Sequence, residues 1–144
     1  MRRLLGTVIG VLLALSLVAP VGAQGGPEIR DVTIGSAIVD RSGNVQIQGE
    51  LYCSESMNVQ IEWGQVDQVV GRKTTVRGGF GGWYVSCIGL MKWESWARAE
   101  SGKFTPGWAN ISVKFQGWRC DEFGCRPLDV WAGADQYLKI VRAK

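Results

Sequence analysis

Tryptophan is the residue type here whose side chains are best suited to bind a ligand, since seven occur among 144 residues. Trp63 and Trp83 fall on the inward sides of predicted strands, where packing in a core accounts for them. Trp108 falls on the outward side of a strand, and Trp93 and Trp118 fall in predicted loops. Exposed indoles stack on the apolar C–H faces of sugar rings and anchor protein contacts. Trp93, Trp108 and Trp118 are therefore the candidate ligand-binding residues, with packing at the ends of a thin domain as the alternative.

Catalytic residue combinations are scarce, because the sequence contains no histidine. This excludes Ser-His-Asp and Cys-His catalysis and every zinc or copper site with a histidine ligand. Glu50 and Glu62 lie on the outward faces of strands predicted to be neighbours, and two carboxylates at a suitable separation can hydrolyse a glycosidic bond. Outward acids on strands usually serve solubility, so hydrolysis is the minor alternative. We expect a non-enzyme without a cofactor or a bound metal ion.

The sequence begins with the three-part layout of a secretory signal peptide, predicted over residues 1–23. Arg2-Arg3 is a positive start, Leu4–Val18 is mainly apolar, and Val21-Gly22-Ala23 supplies the small residues that a signal peptidase reads. The apolar part is shorter than the ~20 residues of a spanning helix, so we expect no stable membrane insertion after cleavage. A retained anchor is the alternative. The sequence thus predicts secretion to the periplasm or the extracellular medium.

Removal of this segment would leave a nearly neutral protein. The chain carries 16 basic and 13 acidic residues, a net charge of +3, and loss of Arg2 and Arg3 lowers the charge to +1. A nucleic-acid backbone requires a strong basic field, and an anionic membrane surface requires a polybasic cluster. The sequence has neither, so we expect no nucleic-acid partner. The expected partner is a glycan or a protein of the cell envelope.

The four cysteines are Cys53, Cys87, Cys120 and Cys125. An even number in a small exported chain is typical of disulfide bonds. Three pairings are possible, and we favour Cys53–Cys87 with Cys120–Cys125. A four-thiolate zinc site is the alternative, but such sites usually contain two C-x2-C pairs, and the closest pair here has the wider spacing C-x4-C.

Alternation of apolar and polar residues dominates the chain after residue 30 and predicts half-buried strands. In the clearest case, the odd-numbered residues of Val45–Cys53 share one face and the even-numbered residues share the other. Similar runs are Met57–Trp63 and Ala109–Phe115, and Tyr137–Val141 is predicted to be the last strand. No segment has a sustained helical period, which argues against parallel α/β folds.

The spacing of strands and turns defines the predicted domain. We expect a short flexible segment at residues 24–30 and one domain over residues 31–144. Frequent short strands separated by turn signals predict an all-β fold, an antiparallel immunoglobulin-like β-sandwich of about seven to eight strands. A small barrel is the alternative.

Five stretches carry a family resemblance. They are Gly43–Cys53, Cys87-Ile88-Gly89, Trp96, Gly102–Ala109 and the Cys120/Cys125 pair. On these residues the chain resembles small secreted bacterial domains of unknown function with an immunoglobulin-like β-sandwich. The resemblance implies that fold and an exported location, and it brings no catalytic residues.

The sequence therefore favours a secreted, non-catalytic binding or interaction module that recognises glycans through exposed tryptophans. The first alternative is a structural or adhesion protein of the cell envelope that binds another protein. The second is a glycoside hydrolase that uses carboxylates.

Overall fold

The computed structural model describes residues 25–82 and 84–144. The predicted signal peptide and Trp83, with its predicted inward side chain, lie outside the described residues. The described chain is all-β, as the sequence predicts, and its six strands form one sheet. The strands are β1 (Ile29–Val39), β2 (Val45–Val70), β3 (Thr74–Phe80), β4 (Val85–Ala99), β5 (Gly107–Asp121) and β6 (Gly124–Arg142).

The strands are fewer and longer than the sequence predicts. The main reason is β2, because the predicted strands Val45–Cys53 and Met57–Trp63 are parts of one continuous strand. In addition, β1 begins inside the segment predicted to be flexible. Ile29 is buried there and pairs with Cys53, so this part of the segment is ordered by the sheet.

The two halves of β2 have different neighbours. Residues 45–53 lie between β1 and β4, whereas residues 58–70 pair with β5 and β3, and the pairing with β4 continues only as far as residues 57–59. β3 meets β4 only at Gly78–Ala99 and Gly79–Arg98. β6 pairs antiparallel with β5 and parallel with the end of β1. The pairings therefore form a closed ring that passes through β2 twice.

Inward side chains fill this ring and form the core. The predicted inward rows of β2 and β5 are confirmed, since Val45, Ile47, Leu51, Ile111 and Phe115 are all buried. Burying one side chain of this size contributes roughly 1.5–3 kcal/mol to folding. The outward residues on the same strands are polar or half-exposed, as alternation requires.

The alternation of β2 changes phase at Glu62, so the predicted inward position of Trp63 is wrong. Ile61 pairs with Phe115 and Trp63 pairs with Lys114, which leaves Glu62 as an extra residue in β2. Such a bulge moves every following side chain to the other face. Trp63 is therefore 49% exposed, and Gly64 takes the inward position under the Phe80 ring.

Trp93 lies in β4, not in a loop, and its side chain is only 6% exposed. It pairs with Gly49 on β2. Its indole occupies the space that the Cβ atom of any other residue at position 49 would need. Its ring meets Phe115 edge to face with 5.3 Å between the centroids. The missing side chain at Gly49 thus creates the space that brings Trp93 into the core.

Both predicted disulfide bonds are confirmed. Cys53–Cys87 is buried and joins β2 to β4 beside the irregular pairing that follows Cys53. Cys120–Cys125 closes the tight hairpin between β5 and β6. The first bond stabilises the contact between distant parts of the chain, and the second stabilises one turn.

Removing the disulfide bonds separately should have unequal effects. We expect the double variant Cys53→Ala/Cys87→Ala to lose about 4 kcal/mol of unfolding free energy, and Cys120→Ala/Cys125→Ala to lose about 2 kcal/mol, because loop-closure entropy grows with loop length. Urea unfolding followed by tryptophan fluorescence measures both losses. Equal losses would contradict this ranking.

Adding one methyl group at Gly49 should destabilise the protein. In Gly49→Ala the new Cβ would collide with the Thr33 carbonyl oxygen and lie 2.7 Å from the Trp93 ring, and we expect a loss of about 3 kcal/mol. Gly35→Ala is the control, because its Cβ would lie 3.7 Å from the nearest backbone oxygen. Urea midpoints of the two variants test this, and a midpoint for Gly49→Ala as high as that of the control would refute it.

Candidate functional site

The three tryptophans predicted to bind a ligand have different environments. Trp108 is on the outward side of β5 and 55% exposed, which confirms its predicted orientation. The predicted exposure of Trp93 is wrong, because this side chain is part of the core. Trp118 lies in β5, not in a loop, and is half-buried with its ring edge-on to Tyr84 at 5.1 Å. Only Trp108 is as accessible as predicted.

These three residues do not form one binding surface. Trp93 is inside the ring of strands. Trp108 and Trp118 are ten positions apart on the same strand, which corresponds to about 33 Å at ~3.3 Å per residue. A single ligand of moderate size cannot contact both.

Trp108 instead belongs to a second group of aromatic residues on the outer side of β2, β5 and β6. We call this surface the aromatic face. Its four large aromatic side chains are each between 49% and 67% exposed. They are Trp63, Trp108, Trp131 and Tyr137.

At one end of the aromatic face, Trp108 and Tyr137 form a stacked pair. Their ring centroids are 5.2 Å apart and their planes differ by 13°. Tyr137 pairs with Asn110 on β5, so it lies diagonal to Trp108, a position that aromatic side chains can bridge. The stack fixes the orientation of both exposed rings.

At the other end, Lys114 lies between two indoles. It pairs with Trp63 on β2, and its Nζ is 5.7 Å from the ring centroid of Trp131 on β6. The same Nζ forms an ion pair with Glu62 at 2.8 Å. The ammonium group therefore holds Trp131 by a cation–π contact and neutralises Glu62.

Polar side chains separate the two aromatic ends. Ser112 lies between Gln65 and Asp135 in one row across the sheet, and its hydroxyl donates a hydrogen bond to the Asp135 carboxylate. In the next row, Arg77 Nε donates to Asp67 Oδ1 at 2.7 Å. Amide, hydroxyl and carboxylate groups thus lie beside flat apolar rings. A sugar can use both, because its hydroxyls exchange hydrogen bonds and its C–H faces pack on aromatic rings.

The charges on the aromatic face are balanced. The acids are Glu62, Asp67 and Asp135, and the bases are Arg77, Lys114 and Lys139. Two acids and two bases are paired with each other, as Asp67 with Arg77 and Glu62 with Lys114. The surface therefore offers no strong field to a charged polymer.

Asp67 is the member of this face whose ionisation the fold changes. Partial burial opposes its ionisation, but hydrogen bonds from Arg77 and Gln65 outweigh this and lower its pKa below the ordinary value of 3.8. The carboxylate therefore stays charged in the folded protein at lower pH than in the unfolded chain.

The carboxylates considered for glycoside hydrolysis do not form a pair. Glu50 and Glu62 lie on the same strand, with about 40 Å of extended chain between them, whereas the reaction requires carboxyl groups roughly 5–10 Å apart. Glu94, which lines a groove of about 490 Å³ with Glu50, accepts hydrogen bonds from Gln46 and Gln48, and these lower its pKa. A lowered pKa is the opposite of what a general acid needs.

Sequence reasoning missed three members of the aromatic face. Trp131 and Tyr137 sit at odd-numbered positions of β6, and the alternation of outward residues from Trp131 to Lys139 was the available signal. No local signal places Trp63 outward, because the bulge at Glu62 is defined by pairing with β5.

Comparison of the chain with protein-family models and with curated protein sequences finds no match. Within residues 25–82 and 84–144, no helix is long and apolar enough to cross a membrane. The same residues contain no group of three or more acidic, cysteine or histidine side chains that would hold a metal ion.

The Asp67–Arg77 ion pair should make stability depend on pH in the acid range. Because the pKa of Asp67 is lowered by folding, its stabilising effect is present above its ordinary value of 3.8 and is lost as the pH falls through the lower folded value. We expect Asp67→Asn to flatten the urea midpoint measured against pH in this window. Arg77→Gln should flatten it in the same way, and a wild-type pH profile in Asp67→Asn would contradict the assignment.

Proposed function

We propose that the protein is a secreted, non-catalytic binding module that holds neutral glycans on the aromatic face. The observation that carries the proposal is the exposed Trp108–Tyr137 stack, in line with hydrogen-bonding side chains and with the Trp63–Lys114–Trp131 group. Trp108, the exposed residue among the three tryptophans predicted to bind a ligand, is thus one part of a larger surface.

Stacked rings on a sheet suit a sugar chain for two physical reasons. The rings are ordered before binding, so little side-chain entropy is lost when a ligand covers them. They also present apolar faces next to the Ser112–Asp135 and Asp67–Arg77 polar groups, which can exchange hydrogen bonds with hydroxyls.

Charge balance favours an uncharged ligand over a polyanion. Three acids and three bases share the face, and a polyanion would meet as many repulsive as attractive groups. Binding to a neutral polysaccharide should accordingly change little with ionic strength.

Export is part of the same proposal. Two disulfide bonds in a small chain support an oxidising compartment, and the N-terminal sequence has the layout of a signal peptide. The proposed function requires neither a nucleic acid nor a membrane as a partner.

We further propose that the strands belong to the immunoglobulin-like class. Support comes from the split of β2, whose first half lies between β1 and β4 while its second half pairs with β5 and β3. In immunoglobulin sandwiches the second and third strands likewise belong to different sheets.

A protein partner in the cell envelope is the alternative function, and one observation favours it. Ile88 and Leu90, on the outer side of β4, are 71% and 67% exposed, and Tyr84 and Val85 lie close by in sequence and are about half exposed. Exposed apolar groups of this kind mark protein contacts. Retention of one envelope protein on the immobilised chain, without any response to sugars, would favour this function.

Substitution of the stacked rings should weaken glycan binding. We expect Trp108→Ala and Tyr137→Ala each to lower affinity for a neutral polysaccharide about tenfold, which corresponds to ~1.4 kcal/mol. Affinity electrophoresis and calorimetry with soluble β-glucan, xylan, chitin oligosaccharides and α-glucan measure the effect.

Trp96→Ala is the matched control, because Trp96 is an exposed indole on β4, away from the aromatic face. It should bind as the wild type does. Absence of binding across the whole panel, or equal losses in Trp96→Ala and Trp108→Ala, would refute the glycan proposal.

A further inference from the structure

A cleft on a different side of the molecule has the properties of a small-molecule site. It lies between β4 and the two glycines that follow β3, Gly81 and Gly82, and its volume is about 440 Å³, within the roughly 300–1,000 Å³ typical of ligand pockets. None of the aromatic-face residues lines it.

The cleft exists because β3 and β4 diverge. They pair only at Gly78–Ala99 and Gly79–Arg98, and the chain then leaves β3 through Gly81 and Gly82. The Ser95 hydroxyl donates a hydrogen bond to the Gly81 carbonyl and fixes one side of the opening. The gap between the strands therefore opens toward the core instead of being closed by backbone pairing.

The inner walls are apolar. Val59 and Ile61 come from β2, Phe115 from β5, and Met91 and Trp93 from β4. An occupant of the cleft would therefore contact mainly apolar side chains on these walls.

The mouth is polar and carries an excess of positive charge. Lys92 and Arg98 line it, and neither forms an ion pair within the described part of the chain. Glu94 is the acidic residue there, and its carboxylate already accepts a hydrogen bond from Gln48 at 2.9 Å. Two cations are thus available to a ligand, against one carboxylate that has a partner.

We propose that this cleft binds a small amphipathic organic anion. The apolar part lies against Val59, Ile61 and Phe115, and the anionic group lies at the mouth beside Lys92 and Arg98. This site is independent of the aromatic face and takes a different class of ligand.

The test uses 1-anilinonaphthalene-8-sulfonate, an aromatic anion whose fluorescence rises in apolar surroundings. Titration of the disulfide-bonded protein should give saturable binding of one molecule per chain, and decanoate should displace it. Raising the salt concentration should weaken binding, since the cations at the mouth are exposed. Unchanged near-ultraviolet circular dichroism excludes binding to a loosened core.

Two variants test the location. Val85→Phe adds bulk at a half-exposed position that lines the cleft, so it should fold and abolish binding. Arg98→Gln should weaken binding about threefold, the effect of one exposed charge. Lys73→Gln, which removes an exposed cation in the turn between β2 and β3, is the matched control and should leave binding unchanged.

Three results would overturn the proposal. One is the absence of saturable binding by the wild type. Another is unchanged binding by both Val85→Phe and Arg98→Gln. The third is loss of binding in Trp108→Ala with retention in Val85→Phe, because the probe would then occupy the aromatic face.

Discussion

The phase change of β2 at Glu62 is the constraint on which the arrangement of this protein depends. Before it, odd-numbered side chains face the core, and after it the even-numbered residues Gly64, Val66 and Gln68 do. One extra residue, matched to the pairing with β5, therefore decides that Trp63 stands on the surface. Without it, an indole would enter the core and the residues after it would turn their apolar side chains to water.

A strand shared by two sets of neighbours gives the molecule two outer surfaces with different chemistry. Beside β1 and β4, the first half of β2 carries a network in which Ser36 donates to Gln48 and Gln48 donates to Glu94. Beside β5 and β6, the second half contributes to the aromatic face. The side chains of the polar network already form hydrogen bonds with one another, whereas the exposed rings of the aromatic face remain available for contact.

The sequence predicts the parts of this fold that depend on local alternation. The inward row of β2 as far as Ile61, the inward row of β5 and the outward position of Trp108 follow from it. The two disulfide bonds are predicted separately, from the even number of cysteines in a small chain. Alternation does not place Trp93. In β4, Trp93 and the polar residue Ser95 face inward while the apolar Trp96 faces outward, so apolar residues do not mark one face of the strand. The space for Trp93 is created by Gly49, which is 44 positions away in the chain. Only contacts between distant segments determine such positions.

The incomplete pairing of β1 with β6 bears on the behaviour of the protein at high concentration. Within residues 25–82 and 84–144, only Ile38 and Val39 of β1 pair with β6, so among these residues the backbone groups along the rest of the two edges have no strand partner and can pair with a strand from another molecule. Irregular register in β1 distorts one edge, and Pro127, which has no N–H, interrupts the other. Features of this kind discourage polymerisation by strand addition.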